Sequence, residues 1–345
     1  MNRMLPGRRA QNRVATAAWT MAFACIAAAI FTIMLFPDRP LLGSISIGVG
    51  SSLLIGTPVL LWMLFGLETG FGRRLKRLPL LAYLAVNGAV MATMLIVGHL
   101  AAYHLIWPPQ GAFLDDPNLP RSLLFSIALV VTISVSVELR RLIGPGVFGA
   151  VLVGRYRYPR AERRVFLLLD IVGSTGLAER LGPERFLAFL DRWIHQLTEP
   201  LLASGGLIYR YIGDEMILTW VWTPDAPSRA LAFAADAAAA VARDAEIWRR
   251  DFGAAPRMRA ALHAGPVIAG EIGDLKREIT FLGDTLNTAA RIAGEARNHD
   301  GLVLASAEAL DGARLPPGLV RRELGPVALR GKAEPVALAA IRRAD

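Results

Sequence analysis

Two aspartates stand where the surrounding sequence gives least reason for an acid. Asp170 closes the apolar run "VFLLLDI", and Asp214 interrupts "LIYRYIGDEMILTW" between two β-branched and aromatic stretches. Charged side chains are almost never fully buried without a partner, so each is either an exposed turn or part of a site that needs a fixed anion. Brought to one end of a sheet, the two carboxylates would form an oxygen-rich site for Mg²⁺ or Mn²⁺ near phosphates. Taken singly, Asp170 reads as a helix cap and Asp214 as a turn residue. Farther along, Asn287 and Arg291 are four apart in a helix-like segment and project from one face.

The elements that must position these residues begin at Arg164. "VFLLLDI" has the length and composition of a buried strand, and residues 174–204 repeat Leu177, Leu181, Phe186, Phe189, Leu190 and Trp193 at helical spacing. "LIYRYI" and "EMILTWV" are strand-like runs joined by Gly213-Asp214, a two-residue connection of the type II′ hairpin kind that sets Asp214 at the tip. An Ala-rich helix is expected from Ser228 to Arg250. Strands are expected in "RMRAALHAGPVIAGEIG" and "EITFLG", a helix over 284–298, and closing strands near "VALR" and "PVALAAI". A βαββαβ core, α+β and ferredoxin-like, is the simplest arrangement.

Before residue 140 the chemistry changes. The chain is 54% hydrophobic over 345 residues, with the apolar excess concentrated in that first part. Four runs, Val14–Phe36, Leu41–Gly66, Pro79–Trp107 and Ser122–Val137, meet the need for about 20 apolar residues in a membrane-crossing helix, the last being the shortest. The first is longer than a signal-peptide core and is followed by no small-residue cleavage site. Arg3, Arg8, Arg9 and Arg13 precede the first run, and Arg73, Arg74, Lys76 and Arg77 lie between the second and third. The remaining loops carry Arg39 and Arg121 against Asp38, Asp115 and Asp116. By the positive-inside rule, the N-terminus and everything after the fourth run face the cytoplasm, across an inner or plasma membrane.

Three regions follow: 1–138 membrane, 139–163 linker breaking at Gly144-Pro145-Gly146, and 164–345 soluble domain. The +9 charge is partly this topology signal, and basic residues of "GRYRYPRAERR" suit anionic lipid. No aromatic-lined basic groove points to nucleic acid. The single cysteine, Cys25, allows no internal disulfide. His99 and His104, five apart, do not share a clean helical face as a ligand pair would, and Gly43, Gly48, Gly50 and Gly56 suit close helix packing. In the soluble part, His263 reads as bonded within the sheet, Gly265 and Gly270 as points of close backbone approach, and Glu215 as facing solvent. No nucleophile elbow supports a hydrolase.

The soluble part resembles the class III nucleotidyl cyclases. "FLLLDIVGSTGLAERL" and "YRYIGDEMI" are similar to their two metal-binding segments. "ITFLGDTLNTAARI" is similar to the segment with their base-contacting and transition-state residues, and "LRGKAEPV" to the one with their triphosphate lysine. The resemblance implies that Asp170, Asp214 and the Ile171 carbonyl hold two Mg²⁺ or Mn²⁺ ions. It implies further that Asn287 orients the ribose, Arg291 stabilises the α-phosphate in the transition state, and Lys332 binds the terminal phosphates. In the family the metal ligands and the Asn/Arg pair come from different domains, so one chain holding both sets resembles a homodimer with two equivalent sites.

Base selection departs from the pattern. The usual adenylate pair is Lys with Asp or Thr. Thr280 meets the second position, and Arg210 replaces the lysine. A donor at 210 suits adenine N1, whereas guanine presents donors there and calls for an acceptor. The expectation is a membrane-bound adenylate cyclase with ATP as substrate. A guanylate cyclase and a non-catalytic, nucleotide-binding membrane sensor are the alternatives. A diguanylate cyclase would need a Gly-Gly-Asp/Glu-Glu-Phe turn, which Ile212-Gly213-Asp214-Glu215-Met216 is not.

Overall fold

A computed structural model describes residues 8–75, 78–106, 112–143, 149–150, 153–275 and 277–344. The Gly144-Pro145-Gly146 break lies outside these residues. The chain divides into two compact units, Met1–Leu142 and Ile143–Asp345.

The first unit contains α1 (Arg8–Leu35), α2 (Leu41–Leu64), the short α3 (Gly70–Leu75), α4 (Leu80–Leu105) and α5 (Leu119–Ile143). Four segments of these helices, of 22 to 25 residues, are long and apolar enough to cross a membrane. At 1.5 Å per residue, 22 residues cover about 33 Å, the thickness of a hydrocarbon core. The fourth segment was expected over Ser122–Val137 and is longer. It runs over Leu119–Arg140, because Pro120 fits a first helical turn and Arg140 reaches Thr16 of α1 at 3.1 Å. A Cβ on Gly48 would lie 2.6 Å from the Ala28 carbonyl, so that glycine does allow α1 and α2 to touch. Gly43 has nothing within 4 Å. His99 is buried, bonded to Leu95 O at 2.9 Å and Ser126 Oγ at 3.2 Å.

The second unit is built on one sheet. Its elements are β1 (Arg160–Ile171), α6 (Ser174–Leu181), α7 (Pro183–Ser204), β2 (Leu207–Ile212), β3 (Glu215–Val221), α8 (Ala226–Arg243), α9 (Ala245–Phe252), β4 (Met258–Ile272), β5 (Glu278–Leu282), α10 (Asp284–Glu295), β6 (Val303–Ser306), α11 (Ala307–Leu310), β7 (Leu319–Val327) and β8 (Val336–Arg343). The strand order is β2-β3-β1-β4-β6-β8-β7, with β5 paired to β4. The first four strands are antiparallel in the ferredoxin-like order, and β6, β8 and β7 extend the sheet beyond β4.

β1 is apolar without alternation because both of its faces are covered. Val165, Leu167, Leu169 and Ile171 pack with Phe189 and Trp193 of α7 and Phe233 of α8. Phe166 and Leu168 pack with Ala289 and Ile292 of α10 on the other side. The single helix expected over 174–204 is two, broken at Gly182, whose φ of 73° ends α6 before Pro183 starts α7. The Ala-rich helix is likewise two, α8 and α9, meeting at Asp244. The strand expected at "VALR" ends at Val327, and β6 was not foreseen.

Candidate active site

The hairpin supplies the first half of the site. β2 and β3 are joined by Gly213-Asp214 with Gly213 at φ 62°, and among the described residues no non-glycine has a positive φ. A positive angle at the first position alone fits the type II′ turn. β3 runs beside β1 with Met216 opposite Leu169, so Asp214 arrives next to Asp170. Burial pushes the Asp170 carboxyl above its ordinary range, Arg259 pulls it back, and Asp214 pushes it up again.

Arg259 stands opposite Asp170 on β4 and donates to its Oδ2 from Nη2 at 2.6 Å and Nε at 3.1 Å. Asp214 Oδ2 is buried without a hydrogen-bond partner. An orphaned carboxylate oxygen beside a second carboxylate is costly unless a cation completes the pair. That donor set fits Mg²⁺ or Mn²⁺, which take one or two carboxylates and fill their remaining positions with water and phosphate. Among the described residues no three His, Cys, Asp or Glu side chains form a larger cage.

Glu215 departs from the expected solvent-facing position. It is half-buried, and its carboxyl is pushed up by burial first and then by Asp170 and Asp214, with Arg297 opposing. The strand alternation places its side chain on the acidic side of the hairpin rather than away from it.

Arg210 and Thr280 are brought to one place from β2 and β5. A bulge between Ile208 and Arg210 frees Tyr209 from the ladder. Its hydroxyl lies 3.2 Å from Thr280 Oγ1 and its ring 4.9 Å from that of Phe281. Arg210 pairs with Glu278 at 2.7 Å, both side chains partly exposed. Arg210 and Thr280 are therefore neighbours through Tyr209 and Glu278, two residues that sequence reasoning missed.

α10 and the turn after β7 supply the other half. Asn287 is exposed on α10. Arg291 and Lys332 converge on Asp284, at 3.7 and 2.5 Å. Thr288 Oγ1 donates to the same carboxylate at 3.1 Å. Lys332, more than Thr288 or Arg291, holds the Asp284 carboxyl below its ordinary range. Beneath lies His263, whose ring meets Ser306 Oγ at 2.8 Å as expected of a sheet-bonded histidine. Burial, and then the charge of Lys332, push it down to about 4. Gly265 is a close approach, since a Cβ there would lie 2.6 Å from Thr285 Oγ1, whereas Gly270 makes only ordinary contact.

The charges that act on Asp170 are Arg259 and Asp214, while Arg291 and Lys332 share Asp284. The carboxylate pair and the cation pair thus have different ion-pair partners, Arg259 for Asp170 and Asp284 for Arg291 and Lys332. A ferredoxin-like sheet with paired acids at a hairpin, and a helix-borne Asn/Arg pair beside a lysine turn, is the build of a nucleotidyl cyclase catalytic domain. The chain belongs to the class III cyclase family: the "Adenylate and Guanylate cyclase catalytic domain" matches residues 158–338.

It is 38% identical over 278 residues to "Adenylate cyclase 2" of Rhizobium meliloti (strain 1021), covering 77% of this chain and 75% of that one. "Adenylate cyclase 1" of the same organism is 26% identical over 249 residues, covering 65% of this chain and 37% of that one. Among solved structures, a bacterial light-regulated adenylyl cyclase shares the fold with a TM-score of 0.54 at 20% identity, covering 66% of each chain.

Proposed function

We propose that this protein is a membrane-bound adenylate cyclase that converts ATP into 3′,5′-cyclic AMP and pyrophosphate. The observation that carries this reading is the meeting of Asp170 with the unpartnered, buried oxygen of Asp214. The name of the 38%-identical Rhizobium relative supports adenine as the base. In the reaction the ribose 3′-oxygen bonds to the α-phosphorus, the bond from that phosphorus to the pyrophosphate oxygen breaks, and the 3′-OH proton passes to solvent.

Asp170, Asp214 and the Ile171 carbonyl would hold two Mg²⁺ or Mn²⁺ ions, which supply acidification of the 3′-OH and neutralisation of the triphosphate. Asn287 orients the ribose. Arg291 meets charge building on the α-phosphate with a planar donor fork, and Lys332 holds the terminal phosphates as a point charge. Arg210 donates to adenine N1 and Thr280 completes the base contact.

The presence of both sets of residues in one chain supports a homodimer in which each partner lends one set to each of two sites. The four apolar helices support a multi-pass anchor in the inner or plasma membrane, and the positive loops support a cytoplasmic catalytic domain. Of the expected regions 1–138, 139–163 and 164–345, the first acts as anchor and the second as linker, with the catalytic domain beginning earlier than 164, at Arg160 where β1 starts. One observation favours a second reading: Glu278 places an acceptor beside Arg210, which guanine's N1–H and N2–H₂ could use. The purified protein assayed with ATP and with GTP, each with Mg²⁺ and with Mn²⁺, decides between them. No cyclic nucleotide in any of the four conditions from an intact dimer would overturn catalysis.

A further inference from the structure

Asp284 is the common partner of both cations assigned above to phosphate. Its Oδ2 accepts from Lys332 Nζ at 2.5 Å and from Thr288 Oγ1 at 3.1 Å, and its Oδ1 lies 3.7 Å from Arg291 Nη1. Lys332 comes from an irregular turn, Arg291 from the second turn beyond Asp284 on α10, and the carboxylate is the group that joins them. Thr288, itself buried, fixes the direction of the carboxylate by its hydroxyl. One negative charge set between two positive ones leaves a net positive site already filled by an anion. A phosphate that is to take these donors must displace a charge of its own sign.

We infer that Asp284 is an internal stand-in for the substrate's phosphate, holding Arg291 and Lys332 in place while no nucleotide is bound and competing with the triphosphate for them. This inference rests on the phosphate-binding roles proposed for Arg291 and Lys332. Asp284 is a positioning residue with two opposed effects. It keeps two like charges from splaying apart, and it lowers the affinity of the pair for an incoming anion. Loading the site is an exchange of ion pairs in which Lys332 and Arg291 leave the carboxylate for phosphate oxygens. The affinity for nucleotide is thereby set below what the two cations alone would give, and release of pyrophosphate is helped by the carboxylate returning to them.

The test is calorimetric titration of the full detergent-solubilised chain with inorganic tripolyphosphate, which carries no base or ribose. Lys332→Ala should weaken binding at least about tenfold, and Asp284→Asn, which removes the charge at constant shape, should tighten it about tenfold, an effect that salt screening reduces. Thr288→Val, which frees the carboxylate without touching a cation, should tighten it about twofold and guards against a folding defect in the first variant. With ATP, Asp284→Asn should lower KM while kcat does not rise. Weaker binding by Asp284→Asn would make the residue a scaffold only, and unchanged binding would make it an inert surface ion pair. Either result overturns the inference. Loss of binding in Lys332→Ala without the gain in Asp284→Asn defeats this inference alone, whereas no loss in Lys332→Ala defeats the phosphate assignment beneath it.

Discussion

Arg210 Nη2 donates to Glu278 Oε2 at 2.7 Å, joining the edge strand β2 to the β5 arm of the neighbouring hairpin. Both side chains keep about two-fifths of their surface in solvent, so the pair is an orienting contact more than a stabilising one. It gives a forked donor a fixed direction, and it puts an acceptor where the sequence had offered only a cation.

Glu278→Gln should therefore lower kcat/KM for ATP about fivefold, mainly through KM, which corresponds to the roughly 1 kcal/mol of an exposed ion pair. Steady-state kinetics with both nucleotides check it. A larger loss with GTP than with ATP would mark the carboxylate as the reader of a guanine edge.

Asp214→Asn should reduce cyclic nucleotide formation by at least about 100-fold while leaving the melting temperature unchanged or slightly raised. The variant gives up an oxygen that has no hydrogen-bond partner and relieves like-charge repulsion with Asp170. Parallel activity and thermal-unfolding measurements separate this from a structural role, for which melting and activity would fall together.

Stability should depend on pH through His263. Its folded value of about 4 lies below the ordinary 6.5, so the unfolded chain binds more protons between these values. Stability is then flat above pH 6.5 and falls as the pH drops toward 4, by up to about 3 kcal/mol. Lys332 and Asp284 face the ring, the lysine adding to burial and the aspartate opposing it. Denaturant unfolding of the wild type and of His263→Gln from pH 4 to 7.5 should show this slope only in the former.

Gly265→Ala should cost about 1–3 kcal/mol and depress activity together with stability. The added Cβ meets Thr285 Oγ1 at 2.6 Å, and that side chain is short, buried and bonded to Pro266 O, so it has nowhere to turn. The displaced element is α10, which carries Asn287 and Arg291. Thermal melts and turnover of the variant measure both effects.

What could be read from the sequence was whatever a period or a motif encodes locally. The apolar helices and the Gly213-Asp214 turn each declare themselves in the run of residues that forms them, and the βαββαβ core in the succession of such runs. Glu215 was misplaced because a hairpin's two faces are assigned by strand pairing, and its neighbours Asp170 and Arg297 are far away in the chain. Arg259 opposite Asp170 depends on the β1–β4 register, Glu278 beside Arg210 on the placement of the β5 arm, and Tyr209 on a one-residue bulge. None of these has a signature shorter than the fold itself. Gly182 carried a usable signal, since Gly followed by Pro ends one helix and begins another, and the unbroken apolar spacing on both sides obscured it.

The contact between Lys332 and Asp284 spans 48 residues of sequence, and β6, α11 and β7 lie between them. Asp170 and Asp214, by contrast, both lie within the stretch that makes β1 to β3. As the chain leaves the ribosome, the acidic half of the candidate site is already present in the nascent chain while the strands that deliver Lys332 are still unsynthesised. The lysine arrives last, so a chain cut short after β6 would carry both acids, Asp284 and Arg291 but lack the second cation of that cluster.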